Sequence, residues 1–215
     1  MSPPPDDRAE VLACAQRMAR DGLVAGTSGN LSRRSGMRIA ITPRNRDYET
    51  MSVDDVSLID LEGRSLDGTR PASTETPMHL AVYRAFDVGA VVHTHSPFAT
   101  AIGTVAAELP AVHYLVATLG GPVRVAPYHV FGSEELGRAV IEAGAGRSAV
   151  ILGTHGAITW GADLDQAYRR AVTLEWLAAL YWRACQIGTP RILTPDELAE
   201  VEAQLDRLDY AAAGR

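Results

Sequence analysis

Ala90-Val91-Val92-His93-Thr94-His95-Ser96-Pro97 decides how the rest of the chain is read. The apolar, β-branched start of this stretch is expected as a buried strand over Ala90 to His93, and Ser96-Pro97 opens a helix running to about Val105. Successive side chains of a strand point to opposite faces, so His93 and His95 project the same way and can place two imidazoles on one ion. The stretch is half of a metal site at the end of a strand.

Reading outward toward the N-terminus, Glu75 stands at the start of a helix that Ser73 or Thr74 caps and that reaches Phe86, with Pro77 in its first turn. An acid in that position complements the helix dipole whatever else it does. His79, one turn on, reads as a packed or hydrogen-bonded helix residue. Ser57 to Asp60 is expected as a strand and Glu62-Gly63-Arg64 as a turn. The apolar run Met37 to Ile41 precedes Thr42-Pro43. Before it, Gly26-Thr27-Ser28-Gly29-Asn30-Leu31-Ser32 combines glycine with small hydroxyl and amide side chains, which suits an ordinary turn and suits an anion cradle equally. A first helix, capped by Asp6 or Asp7, buries Val11, Leu12, Ala15, Met18 and Ala19 and stops near Asp21-Gly22.

Toward the C-terminus come a short strand, Val123 to Ala126, a helix from Ser133 to Ala143, and a strand, Ala149 to Leu152. That strand empties into Gly153-Thr154-His155-Gly156, where glycines on either side leave His155 to be presented by the backbone. Ala157 to Trp160 returns as a strand. A long helix follows from Asp163 to about Ile187, in which Trp176 and Trp182 read as packing residues, and a last helix spans Pro195 to about Arg207. Helices lie between several of the strands, which predicts an α/β fold: one domain over 1–215 with a mixed central sheet covered by helices on both faces. Residues 1–6 are expected to be disordered and 208–215 to form a mobile tail.

Composition narrows the function classes. The chain has 215 residues, 47% of them hydrophobic, enough for one substantial core, and a formal net charge of -6 that gives no broad footprint for nucleic acid or an anionic membrane. No apolar run reaches the length of a membrane span, and the N-terminus lacks a secretory pattern. Two cysteines, Cys14 and Cys185, make no disulfide framework, so a cytoplasmic protein acting on a small molecule is expected. All 20 basic residues are arginine, which leaves no lysine for Schiff-base chemistry.

A catalytic zinc site commonly takes three protein ligands and keeps a position for water or substrate. His155, His113 and His129 compete for the third place beside His93 and His95. A carboxylate next to a Lewis-acidic ion is the pairing needed to move a proton at carbon, and Glu75 is the best-placed acid.

Ser28-Gly29-Asn30 with Ser32, Ile41-Thr42-Pro43, Pro71 through Glu75, Val91 through His95, His113-Tyr114 and Thr154-His155-Gly156 occur in the order of the class II aldolase/adducin family, which the chain resembles along nearly its whole length. The resemblance implies a largely antiparallel sheet in a three-layer αβα fold, and His93, His95 and His155 as ligands of zinc or another divalent transition metal. It implies Glu75 as acid/base, and Ser28, Gly29, Asn30, Thr42, Ser73 and Thr74 around the phosphate of a phosphorylated sugar. Tyr114 falls on a tyrosine lent across a subunit boundary and Tyr210 on a second, C-terminal one, in a homotetramer whose active sites lie between subunits. The implied reaction is reversible retro-aldol cleavage of a ketose 1-phosphate to dihydroxyacetone phosphate and a small aldehyde.

One departure stands out. After Thr42-Pro43 the family continues with a small hydroxyl residue and glycine, where this chain has Arg44-Asn45; Arg44 can grip phosphate or carboxylate with two parallel hydrogen bonds, or close the usual pocket. Three other activities stay open: epimerisation of a pentulose 5-phosphate, decarboxylation or dehydration of a sugar-acid phosphate, and a non-catalytic, adducin-like interaction domain. Tyr114 argues against the first, and the retained histidines and Glu75 against the last.

Overall fold

The structure, a computed structural model, describes residues 6–208. The expected disordered start and mobile tail, and Tyr210, lie essentially outside them. In chain order the elements are α1 (Asp7–Arg20), β1 (Asn30–Ser35), β2 (Arg38–Ile41), β3 (Ser57–Asp60), β4 (Ser65–Asp67), α2 (Thr76–Ala85), β5 (Ala90–Thr94), α3 (Pro97–Val105), β6 (Glu108–Leu109), β7 (Val123–Ala126), α4 (Glu134–Ala143), β8 (Ala149–Leu152), β9 (Gly156–Gly161), α5 (Leu164–Ile187) and α6 (Pro195–Arg207). The strands form one sheet in the order β4-β3-β2-β1-β5-β9-β8-β7-β6. Every pairing is antiparallel except β7 with β8, as the mixed, largely antiparallel expectation required.

Alternation along each strand divides the core into layers. Val91 of β5, Val150 and Leu152 of β8, and Ile158 and Trp160 of β9 pack under Met78 and Val82 of α2 and Leu136 and Val140 of α4. On the other face, Ala90, Val92 and Leu31 meet Val11, Ala15 and Met18 of α1 and Ala167, Tyr168 and Ala171 of α5. Farther along that face, Ala149, Ile151 and Ala157 pack with Ala99 and Ile102 of α3 and Leu174 and Leu177 of α5. His93 shares its parity with Val91, so it points toward the α2 layer, where the N-terminus of that helix carries Glu75.

Several local expectations are corrected. Asn30 to Ser32, read within a turn or anion cradle, begin a central strand, Asn30–Ser35, paired with β2 and β5. Neither Ser73 nor Thr74 is the N-cap of α2: Glu75 is, without capping through its side chain, and the Ser73 hydroxyl accepts the Glu75 amide at 3.2 Å. At α3 the hydroxyl of Ser96 makes no cap; the carboxylate of Glu175 on α5 accepts the Phe98 and Ala99 amides at 2.9 and 2.8 Å. Trp176 and Trp182 are only half covered, at 46% and 47% exposure, and their rings meet His113 and Phe98. Asp6 and Ser133 do cap α1 and α4.

Ion pairs to the buried Asp55 tie together the segments carrying Arg46 and Arg70. The Asp55 carboxylate accepts the Ser52 amide at 2.9 Å and hydroxyl at 3.0 Å, and it pairs with Arg70 and, at 3.4 Å, with Arg46. The Ser52 amide first, then the Arg70 guanidinium, hold its carboxyl well below the usual carboxylate range. A depressed folded value means this contribution is whole above the ordinary carboxyl pKa of about 3.9 and is lost as pH falls through the folded one. Asp55→Asn is therefore expected to lower Tm at pH 6, with the gap to the wild type narrowing below about pH 4. Thermal denaturation across that range measures it, and a gap that stayed constant would remove the charge from the explanation.

Candidate active site

The end of β5, the Gly153–His155 turn and the N-terminus of α2 converge. Around His93, His95 and His155 the three ring centroids are each 4.9 Å apart, an equilateral arrangement. His93 donates from Nδ1 to the Ala157 carbonyl at 2.9 Å, which leaves its Nε2 lone pair facing inward, 3.1 Å from Nε2 of His95. Glu75 completes the group, with Oε2 3.0 Å from Nε2 of His93 and Oε1 3.3 Å from Nε2 of His155.

These spacings fit a metal. Bonds of about 2.0 to 2.1 Å place neighbouring tetrahedral ligands roughly 3.3 Å apart. One donor atom from each of the four residues lies within 4.8 Å of the others. Buried Glu75 Oε1 has no hydrogen-bond partner, as expected of an oxygen whose natural neighbour is a cation. Burial alone raises the Glu75 carboxyl, but the imidazoles beside it, His93 first, and the Asn30 amide outweigh that and hold it well below its ordinary range, as a carboxylate. Burial, with His93 close behind it, pushes His95 down to about 3, so it offers a bare lone pair.

Two glycines permit the approach. A Cβ on Gly156 would sit 2.2 Å from the Thr94 carbonyl oxygen and 3.3 Å from ring atoms of both His93 and His95, and Gly29, at φ +72°, would press its own to 2.9 Å from the His93 carbonyl. Thr154 takes a left-handed φ of 53°, uncommon for a β-branched residue, immediately before His155.

A cavity of about 520 Å³ opens over this cluster, with Glu75, His95 and His155 in its lining. Ser28, Gly29, Asn30, Arg44, Asn45, Ser73 and Thr74 line it as well. The strand pairing explains why: Pro43 bridges Ala72, Arg44 donates its amide to the Pro71 carbonyl at 3.0 Å, and Ser73 donates to that of Thr42 at 3.1 Å. Buried Tyr48 donates to the Gly29 carbonyl at 2.6 Å and so braces the loop from behind. Asn45 adopts φ 50°, the left-handed conformation that asparagine tolerates and that glycine would otherwise supply. The Arg44 side chain is exposed, and no hydrogen bond or ion pair holds its guanidinium among the described residues.

Not every expected residue faces the cavity. Thr42 is fully buried, its hydroxyl accepting the Leu31 amide at 3.2 Å. Tyr114 is half exposed outside the cavity, its ring 4.4 Å from that of His113. His113 takes no part in the cluster; its Nδ1 accepts the Leu115 amide at 3.2 Å. His129 lines the cavity with Tyr128 and Phe131, from the loop between β7 and α4, without joining the four donors. Tyr48, Tyr128 and Phe131 had no local signal in the sequence that set them apart from ordinary turn residues, whereas Thr27 fell in the glycine-rich stretch and His129 was a candidate ligand.

A family model described as "Class II Aldolase and Adducin N-terminal domain" matches residues 9–182. The chain is 38% identical over 204 residues to 5-deoxy-D-ribulose 1-phosphate aldolase of Bacillus thuringiensis, spanning 93% of this chain and 95% of that protein. It is 40% identical over 192 residues to a 5-methylthioribulose-1-phosphate/5-deoxyribulose-1-phosphate aldolase of Rhodospirillum rubrum, spanning 89% of this chain and 87% of that one. A solved L-fuculose 1-phosphate aldolase shares 31% identity at a TM-score of 0.91, over 95% of this chain and 98% of its own. The chain belongs to the class II aldolase/adducin family. Within it, the chain is an enzyme, a class II aldolase, the metal-dependent kind of carbon-carbon lyase.

Proposed function

We propose that the chain reversibly cleaves a ketose 1-phosphate to dihydroxyacetone phosphate and a small aldehyde, with zinc as its metal and Glu75 as the group that moves the proton. One observation carries the reading: a three-histidine, one-carboxylate cluster lies in the same cavity as an anion cradle drawn from two loops. A divalent ion held by His93, His95 and His155 would supply Lewis-acid chemistry, drawing charge from the ketose oxygens. Ser28, Gly29, Asn30, Ser73 and Thr74 bind the phosphate end and so fix which carbon meets Glu75. The hydroxyl beside the scissile bond gives up its proton, which Glu75 takes, as the carbon-carbon bond breaks; the electron pair remains on the three-carbon fragment as an enediolate, and the departing fragment becomes an aldehyde. Glu75 then delivers a proton to carbon, completing dihydroxyacetone phosphate, and in the reverse direction removes it.

Tyr114 serves the aldehyde oxygen of a neighbouring subunit's site in a homotetramer. Supporting this is its place in a half-exposed aromatic patch with His113 and Trp176, a surface suited to a contact between copies. Tyr210, outside the described residues, is proposed for the same end of the substrate. The free thiols of Cys14 and Cys185 accord with a reducing compartment such as the cytoplasm. Tyr128 and Phe131 offer rings to the cavity, which favours an aldehyde with an apolar end, and the names of the two 5-deoxyribulose 1-phosphate aldolases above support that choice.

Arg44 is assigned to the phosphate as well. Arg44→Ala is expected to raise KM for the ketose 1-phosphate roughly tenfold or more, the scale of one charge-assisted hydrogen bond, with kcat little changed. A KM that did not move would place Arg44 outside the substrate's reach. The reaction itself is tested by supplying the metal-loaded protein with ketose 1-phosphates, including the 5-deoxy and 5-methylthio compounds, ketose 5-phosphates and sugar-acid phosphates. Release of dihydroxyacetone phosphate from a ketose 1-phosphate is expected; epimerised or decarboxylated product in its place would overturn the assignment.

A further inference from the structure

Behind the Glu75 carboxylate runs a chain of buried polar side chains that reaches away from the cavity. Asn30 Nδ2 donates to Glu75 Oε2 at 2.8 Å, and Asn30 Oδ1 lies 2.6 Å from Nε2 of His79. Nδ1 of His79 lies 2.7 Å from the Ser32 hydroxyl, which in turn lies 2.8 Å from the Tyr83 hydroxyl. All five residues are buried.

Only one direction of donation makes the whole chain consistent. A carboxylate can only accept, so the Asn30 amide must turn its NH₂ to Glu75 and its oxygen to His79. That oxygen requires a proton on Nε2 of His79. Full burial pushes His79 well below its ordinary range, and with Nε2 committed to donating to Asn30 the neutral ring's Nδ1 must accept. Ser32 therefore spends its proton on Nδ1 and accepts in turn from Tyr83. Reversing any one bond would set two donors or two acceptors against each other in a dry interior, where an unmet polar group costs about 1 to 3 kcal/mol.

We propose that His79 is a positioning residue for proton transfer: pinned between Ser32 and Asn30 as the Nε2-protonated tautomer, it fixes which way the Asn30 amide points and thereby holds the Glu75 carboxylate in place. The Asn30 amide has two orientations of nearly equal shape, and only His79 distinguishes them from behind. Were Asn30 flipped, its oxygen would face Oε2 of Glu75 and drive the carboxylate away, and a displacement of about 1 Å is enough to slow a reaction roughly 10²-fold. The proposal rests on the reading of Glu75 as the group that moves the proton.

The test separates donor geometry from packing. In His79→Gln the side-chain NH₂ can occupy the place of Nε2 and still donate to Asn30, whereas in His79→Asn the shorter amide reaches only as far as Nδ1. His79→Gln is expected to keep kcat within about tenfold of wild type and His79→Asn to lose roughly 100-fold, with metal content close to wild type in both. Equal losses in the two variants, or losses that track metal content or Tm, would overturn the proposal and leave His79 a packing residue. A second measurement needs neither turnover nor a foldable variant: long-range ¹H–¹⁵N spectra of histidine-labelled wild-type protein should show His79 neutral with its proton on Nε2. A proton on Nδ1, or on both nitrogens, would overturn it. Absence of turnover on every sugar phosphate would instead count against the aldolase reading, with the tautomer still deciding for or against His79.

Discussion

Replacing Glu75 by Gln is expected to leave a full complement of metal in the protein while lowering the release of dihydroxyacetone phosphate by roughly 10²- to 10⁴-fold, the usual contribution of a positioned acid/base. The three imidazoles remain, so the ion keeps the ligands proposed for it. The substituted amide is nearly the same size as the carboxylate and can still meet Asn30, whose own side chain has both a donor and an acceptor. What disappears is the capacity to carry a proton at the position 2.8 Å from Asn30 and 3.0 Å from His93. Metal analysis beside steady-state kinetics reads both quantities on one preparation. Loss of metal together with activity would make Glu75 an obligatory ligand and leave the proton without a carrier.

Removal of the metal is expected to have the second large effect, and on stability as much as on rate. An ion that binds only the folded chain, at 1,000 times its Kd, stabilises by about 4 kcal/mol. At roughly 2 to 4 °C per kcal/mol for a chain of this size, chelation should lower Tm on the order of 10 °C. The direction follows from the cluster itself: without a cation, Glu75 Oε1 keeps no well-formed hydrogen bond, and inward-facing imidazole lone pairs crowd one another at 3.1 Å. Calorimetry with and without chelator measures the shift. An unchanged Tm would mean that these side chains satisfy one another without an ion.

The metal half of the site was legible because its signals are local. A strand period of two places His93 and His95 together, and glycines mark the turn that presents His155. Glu75 was legible as an acid at a helix N-terminus, though the cap was not: Ser73 and Thr74 have the right chemistry for it, and the structure uses them to line the cavity instead. The strand Asn30–Ser35 was missed because its buried inward residues, Asn30 and Ser32, are polar and break the expected alternation of apolar with polar. Those same residues hold His79. A signal for that chain did exist, since Glu75, His79 and Tyr83 follow one another at intervals of four and so share one face of a helix. Seen alone, His79 reads as a packed or hydrogen-bonded helix residue, and only the register of β1 against β5 shows which residues lie behind it.

The cavity's far wall had no such signal beyond His129, read as a competing ligand. Tyr128, His129 and Phe131 come from a loop about 50 residues beyond the helix it faces, and the close approach of Gly132 to the Thr74 carbonyl, 2.7 Å from where a Cβ would lie, is a tertiary fact. Thr42, expected among the lining residues, is buried just past the end of β2, its hydroxyl turned to the Leu31 backbone. Arg44-Asn45 looked like a defect in the anion loop. Asn45 retains the left-handed turn that a glycine would give, and Arg44 leaves an unpaired guanidinium at the cavity's edge, so the loop's shape survives while its charge changes.

Titration of the metal-free protein with zinc tests the central claim most directly, with dihydroxyacetone phosphate release from a ketose 1-phosphate followed at each addition. Turnover should rise in proportion to metal bound and level off at one ion per chain, and the rise should vanish when His93, His95 or His155 is replaced by Ala. Turnover that was already complete before any metal was added, or that survived loss of these histidines, would contradict a metal centre built from them.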